Sequence, residues 1–474
     1  MLKTFIASPT TRYLIWFRLG SYMKGKKQWM LLYPIIYSFY RHLQYKTGIQ
    51  IRLGTKIGGG VRFVHFGGIV LNGSASLGKN CVVFNNVTLG GAHLGGLAPK
   101  VGDNVVICTG AKLIGNITIG NNVIIGAGAS GLACMNELVK TNKYNIIVLE
   151  QSNKAARKIL ASGNGRCNVS NLNMDIKYYN HQDPLIEKLI KEFDVVNFFK
   201  QLSLKLRYEK NLVYPYSLSS LSVKNALMKN MDNVSYIDNC EALAIKKAKT
   251  YEIITTNGHY QADKIVIATG SPASHLSGQN NLKMLEKMHI SMIPFTPSLV
   301  QVKTKPVFKA LKGQRVKGIA MLYDQNQLIE KQTGEIMFTD YGLSGICIMQ
   351  LSRYLDHLKN PKLILNLLPD IEKEEFQHYG LEGFFHEKIV QIFKEKNIDP
   401  RCLEFKIIDT MSIEKAQVCH GGVSLKEVDE NLQLKKYPDI YVCGEALDVD
   451  GDCGGYNLHF AFASGVHVAK SIKK

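Results

Sequence analysis

The sequence predicts a multidomain chain in which N-terminal helices and a left-handed parallel β-helix precede an α/β domain built on a doubly wound sheet. Three observations predict it. Positive charge is concentrated at one end: of 58 Lys and Arg against 39 Asp and Glu, 13 basic residues and no acid fall before Asp103. Aliphatic residues recur every six positions from Ile57 to Ile125. A Gly-x-Gly-x-x-Gly run at 126–131 then ends that rhythm. With 474 residues the chain is long enough for about three domains, so a single small module is excluded. Hydrophobic residues at 46% and charged residues at 20% exclude a disordered or multispanning chain.

Residues 1–50 read as a basic, aromatic helical segment. The apolar stretch Trp29–Tyr40 is broken by Pro34 and is too short to cross a bilayer. Arg12, Arg18, Lys24, Lys26, Lys27 and Arg41 alternate with Tyr13, Trp16, Phe17, Trp29 and Tyr33. This mixture suits an anionic membrane surface, or else a helical cap whose aromatics pack on the next domain. There is no cleavable leader pattern. The ten cysteines form no CxxC pair and no metal-ligand spacing, so reduced thiols, no metal and a cytoplasmic chain, peripheral on the inner face of the membrane, are expected.

The six-residue rhythm runs through Ile57, Phe63 and Ile69, then Leu77, Val83 and Leu89, then Val101, Ile107, Leu113, Ile119 and Ile125. Four residues after most of these stands a small or β-branched residue such as Val61, Gly67, Cys81, Val87 or Ala111. A chain that turns a triangular corner every six residues needs this: an aliphatic fills the interior and a compact residue sits near each corner. The expected β-helix spans 51–122, with an excursion at 90–100.

From Val123 the pattern changes to a strand, the run Gly126, Gly128, Gly131 with Ser130 inside it, a helix, and a second strand ending at Glu150. The first glycine makes a tight turn, the second admits a pyrophosphate to backbone N–H groups, and the third lets helix pack on strand. Glu150, nineteen residues on, accepts from a ribose hydroxyl. Val123–Ile125 cannot serve both patterns. The doubly wound sheet should take it, being buried on both faces. Residues 119–129 are expected to run as one continuous strand between the two parts. The shared IIGAGA implies a fusion, by recombination or by an error of sequence assembly.

Two resemblances sharpen this reading. HFGGIVLNGSASLG (65–78), NNVTLGG (85–91) and PKVGDNVVICTGAKLIGNITIGNN (99–122) are similar to the serine acetyltransferase-like branch of the hexapeptide acyltransferases, truncated after about residue 125. The resemblance implies a homotrimer, acetyl-CoA as donor, and His65 as the general base for an acceptor hydroxyl. Val64 and Ala98 replace an acid and a second His of the serine-specific members, which favours a sugar hydroxyl over serine. A non-catalytic scaffold is the other reading of this region.

Further on, RKILASGNGRCNVSN (157–171), KIVIATGS (264–271), GEIMFTDYGLSG (334–345), AQVCHGGVSLKEVD (416–429) and IYVCGEALDVDGDCGGYNLHFAFASG (440–465) resemble the BaiN/RdsA-like, or aminoacetone oxidase-like, oxidoreductases. The resemblance implies an FAD-binding domain at 123–295 and 426–474, an inserted β-barrel at 296–345 and 403–425, and a small helical subdomain at 346–402. Cofactor contacts are expected from Gly163, Arg166 and Asn168, from Ala268, Thr269 and Gly270, from Gly444, Glu445 and Asp448, and from Gly454, Gly455, Tyr456 and Asn457. Backbone N–H groups at the start of the last helix would stabilise the anionic edge of reduced flavin. Cys419, His420 and His459 are candidate substrate-side groups. No second Gly-x-Gly-x-x-Gly follows, so NAD(P)H is expected as a transient reductant. A small-molecule substrate is expected, and RNA stays open.

Overall fold

The computed structural model describes residues 8–102, 105–115, 118–119, 122–247, 250–274, 276 and 283–473. The chain divides into two compact units, Met1–Val123 with Val139–Ile147 and Gln261–Lys264, and Ile124–Leu138 with Val148–Tyr260 and Ile265–Lys474. Among the described residues no helix is long and apolar enough to cross a membrane, and no cluster of His, Cys, Asp and Glu could hold a metal ion.

The first unit opens with a helix at Pro9–Met23. Pro9 occupies its first turn and the Ser8 hydroxyl accepts from the Thr11 N–H, satisfying one of the donors that a helix start leaves open. A second helix, Tyr33–Thr47, ends on Gly48 at φ 66°, a left-handed conformation that glycine takes without steric cost. The two helices meet through Tyr13 and Tyr40, whose hydroxyls lie 2.8 Å apart, and Tyr40 donates to the Ile51 carbonyl. Beyond them short strands stack into three parallel ladders. One joins 49–51, 69–71, 88–90 and 112–114, another 56–57, 76–77, 100–101 and 118–119, and the third 62–63, 82–83 and 106–107. Val70 lies opposite Thr88, so one circuit of the three ladders takes three hexads. Phe63, Ile69, Leu77, Val83, Leu89, Val101 and Ile107 are buried in one core, as the hexad predicts. Ile117 and the side chain of Ile119 lie outside the described residues.

Val123–Ile125 belong to the other architecture. Asn122–Gly126 is the central strand of a five-stranded sheet ordered 235–237, 145–149, 122–126, 264–267, 440–442, and all three of these residues are buried. The expected single strand over 119–129 is corrected. The ladder strand is Thr118–Ile119, the sheet strand ends at Gly126, and the chain is helical from Ala129; residues 120 and 121 lie outside the described ones. The physical reason is the turn: the closest backbone approaches of the motif need a reversal after Gly126, which an extended strand forbids.

The second unit carries a closed barrel formed by strands at 302–305, 342–344, 327–338, 315–324, 361–366 and 403–410, in that order around the wall. This corrects two expectations. Pro361–Asn366, inside the stretch expected to be helical, pairs with 319–324 on one side and 403–406 on the other. Met292–Ser298, expected partly in the barrel, forms a separate antiparallel ribbon with Val418–Val423. Helices at Ile346–Ser352, Lys373–Tyr379 and Glu387–Glu395 also lie within 346–402. The chain ends in the helix Tyr456–Lys473.

Candidate functional site

The turn between strand 122–126 and helix 129–139 is set by what glycine lacks. A Cβ on Gly131 would lie 1.8 Å from the Gly126 carbonyl oxygen, and one on Gly128 or Gly126 would lie 3.0 or 3.1 Å from the Ala268 carbonyl oxygen. The sheet therefore brings Ala268, at the end of strand 264–267, against the glycine turn. Gly270, at φ 73°, carries the chain away from it.

Around this turn opens a cleft. Gly126, Gly128, Ser130, Glu150, Ala268, Thr269, Gly270 and Glu445 of the expected residues line it. Glu150 ends strand 145–149. Its Oε1 accepts from the Ser152 N–H and hydroxyl at 2.9 and 2.7 Å, which fixes the carboxylate at the cleft. Arg157 and Lys158 also line the cleft and were missed. The Lys158 ammonium donates to Glu445 Oε2 at 2.8 Å and to the Ser271 carbonyl at 2.9 Å, while the Ser271 hydroxyl donates to the same Glu445 oxygen at 2.9 Å. Burial pushes the Glu445 carboxyl up, but Lys158 and Ser271 outweigh it and hold it below the usual range. The only sequence signal for Lys158 was its place in the Gly-rich stretch 157–171.

The remaining expected residues are not among those lining this cleft. Gly163 (φ 55°) turns a 3-10 loop, the Arg166 guanidinium pairs with Glu209 at 2.5 Å over the Tyr214 ring, and Asn168 Oδ1 accepts from the Val213 N–H at 3.2 Å. Gly444 starts a 3-10 turn beneath the last helix, where a Cβ would meet the Ser130 hydroxyl at 2.5 Å. Gly454 and Gly455 take φ 122° and 95° to enter the final helix. Asn457 closes the loop by exchanging hydrogen bonds with the backbone of Gly451, and Tyr456 stacks on Tyr178 at 4.7 Å.

Asp448, expected to contact the cofactor, is not among the residues lining this cleft. Its carboxylate is occupied within the chain, accepting from His181 Nε2 and the Gly421 N–H, both at 2.9 Å. Next to it lies a charged cluster of which the sequence singled out only His420. The buried Asp450 accepts from His420 Nδ1 at 2.5 Å and Arg353 Nε at 3.3 Å, and Arg353 also pairs with Asp452. The alternating acids at 448, 450 and 452 were the available signal. His459 is corrected from a substrate-side candidate to a core residue. It is buried, with Nε2 donating to the Ile190 carbonyl and Nδ1 accepting from the Ser170 hydroxyl. Cys419 is buried as well, and burial pushes its thiol up to about 12. In the first unit, His65 is exposed just after strand 62–63, its ring 6.1 Å from that of Phe84.

Comparisons with known proteins agree with this division. The family profile of the HI0933-like protein Rossmann domain matches residues 120–471, and that of the bacterial transferase hexapeptide, six repeats, matches 98–130. The chain is 31% identical to a 3-dehydro-bile acid delta(4,6)-reductase of Clostridium scindens, over 72% of this chain and 96% of that protein. It is 26% identical to a ribosomal RNA dihydrouridine synthase of Escherichia coli, over 74% and 97%. A serine acetyltransferase of Synechococcus elongatus is 40% identical over 20% of this chain, and the chain spans 41% of that protein's length.

Proposed function

The chain belongs to the HI0933-like family through its Rossmann domain and carries a hexapeptide-repeat region in front of it; on that premise we propose that it is an FAD-dependent oxidoreductase, reduced by NAD(P)H. The single observation that carries this reading is the cleft in which the glycine turn, Glu150 and Ala268–Gly270 converge. The residues fit the adenosine diphosphate half of FAD on their own chemistry. The glycines leave backbone where side chains would clash, Arg157 supplies positive charge for a diphosphate, and Glu150 is placed for a ribose hydroxyl. Bound FAD would supply hydride transfer. The protein's part is to hold it and exclude competing reactions, with Gly163, Arg166, Asn168 and the 444–457 segment on the flavin side.

The reaction class we infer is reduction of a carbon–carbon double bond, in keeping with the names of the reductase and the dihydrouridine synthase among the relatives. A hydride and a proton are added to the substrate, and NAD(P)H leaves as NAD(P)⁺. Purified protein should be yellow with stoichiometric FAD, and Glu150→Ala should weaken FAD retention about tenfold, the cost of one charge-assisted hydrogen bond. Colourless protein that takes up no FAD on reconstitution would overturn the assignment.

For the first unit we propose a left-handed parallel β-helix that assembles as a trimer, with the barrel of the second unit inserted in the FAD-binding domain. A second activity is favoured by one observation, the exposed His65 on a coil similar to serine acetyltransferase. His65 would take the proton of a sugar or serine hydroxyl as that oxygen attacks the thioester of acetyl-CoA, and the CoA thiolate would leave and be protonated. Thiol release that depends on an added hydroxyl acceptor, and is lost in His65→Ala, is the expected result. Release unaffected by that change would remove His65 from the reaction and leave the region a scaffold.

A further inference from the structure

The helical pair at 9–47 exposes far more apolar surface than a solvated face needs. Leu31 is 87% and Met30 72% exposed in the turn between the helices, and Leu32 is exposed beside them. Ile15, Leu19 and Tyr22 follow one another at i, i+4 and i+7 on the first helix, Ile35 and Phe39 at i and i+4 on the second, and Phe39 stacks on Trp16 at 5.2 Å. Contiguous apolar surface of this kind marks an interaction site.

Beside it lies a cleft whose polar lining includes Lys24, Tyr33, Tyr37, Arg41, Gln44 and Arg52. Lys24 donates to the Leu53 carbonyl at 2.9 Å, and Arg41 to Gln44 Oε1 and the Tyr45 hydroxyl at 2.9 and 2.8 Å. These acceptors are neutral, and residues 1–102 hold no carboxylate at all, so the positive charge of the cleft is uncompensated within that stretch.

We propose that this helical pair docks on an anionic phospholipid bilayer, with Met30–Leu32 entering the interface and headgroup phosphates held by Lys24, Arg41 and Arg52. Apolar residues flanked by cations are what the headgroup boundary selects. Charge decides against a second copy of this chain on the same face, because two such faces would bring only cations together. The inference stands apart from both proposed activities.

The test uses the full chain, whose two tryptophans, Trp16 and Trp29, both lie in the helical pair, so tryptophan emission, excited selectively over the 22 tyrosines, reports on this surface. Vesicles of phosphatidylglycerol and phosphatidylcholine should shift the emission to the blue and co-sediment the protein. Phosphatidylcholine alone should not, and added salt should reverse the effect. Leu31→Glu, and separately the pair Lys24→Glu and Arg41→Glu, should each weaken binding about tenfold or more. Unchanged melting and flavin absorbance in these variants would separate lost binding from lost folding. No shift with phosphatidylglycerol vesicles at low salt overturns the proposal. So does an equal shift with glycerol phosphate alone, which would mean a soluble phosphate ester, or an oligomer that Leu31→Glu disperses without any lipid binding, which would mean a second copy.

Discussion

His420 and His459 are both well removed from solvent and both bonded at each ring nitrogen, yet their partners set opposite charges. His420 faces two acceptors, the Asp450 carboxylate and the Arg353 carbonyl, so both nitrogens carry hydrogen and the ring is an imidazolium. Burial pushes its pKa down, but the hydrogen bond and charge of Asp450 outweigh that and leave it raised. His459 faces one acceptor and one hydroxyl, and burial takes it down to about 4. The raised value means that the folded chain holds a proton the unfolded chain releases above about pH 6.5. The stability His420 contributes is therefore complete below that pH and is lost as pH rises through the folded value. For His459 the sign reverses: stability present above about pH 6.5 is lost as pH falls toward 4. His420→Asn should destabilise by about 3 kcal/mol at mildly acid pH, where a buried pair is broken, and the gap to the native chain should narrow in melts at rising pH. A gap independent of pH would deny the imidazolium. Gly131→Ala should cost about 3 kcal/mol or more, because its Cβ falls 1.8 Å from a carbonyl oxygen, and flavin content and melting temperature should drop together.

Among the elements, the strand at 122–126 shows how one stretch of sequence resolves two competing periods. Its residues continue the hexad, but the glycine turn after it and the strands at 145–149 and 264–267 on either side give it a fully buried place in the sheet. The strand at 361–366 shows the opposite case. Residues 363–366 fall in the stretch that the resemblance assigns to a helical subdomain; so short an apolar run has no period that could decide, and only pairing on both edges, with Leu363 opposite Phe405 and Leu322, makes it a barrel strand. The excursion at 90–100 has a different character, with Leu94 fully exposed and Leu97 largely so. Limited digestion with subtilisin, whose specificity is broad, should cut within this excursion well before it reaches Asn122–Gly126, whose interior is buried. Earlier cleavage within 122–126 would show that the strand opens readily.

At the scale of the whole molecule, every described residue lining the large cleft lies at Ile124 or beyond. Flavin absorbance should therefore survive a subtilisin cut in the 90–100 excursion and travel with the larger fragment on gel filtration; loss of flavin on cutting would mean that the first unit is needed to retain it. The sequence by itself determined the two architectures and the cofactor turn. Hexads, glycine spacing and the position of Glu150 are local constraints, written within a few residues of one another and imposed by backbone sterics. Tertiary structure alone decided the Lys158–Glu445 pair, the Arg353–His420–Asp450 cluster and the membership of the barrel. Those partners stand up to 287 residues apart. No local pattern encodes which buried charge meets which, because burial makes the pairing necessary and only the folded chain supplies the neighbour.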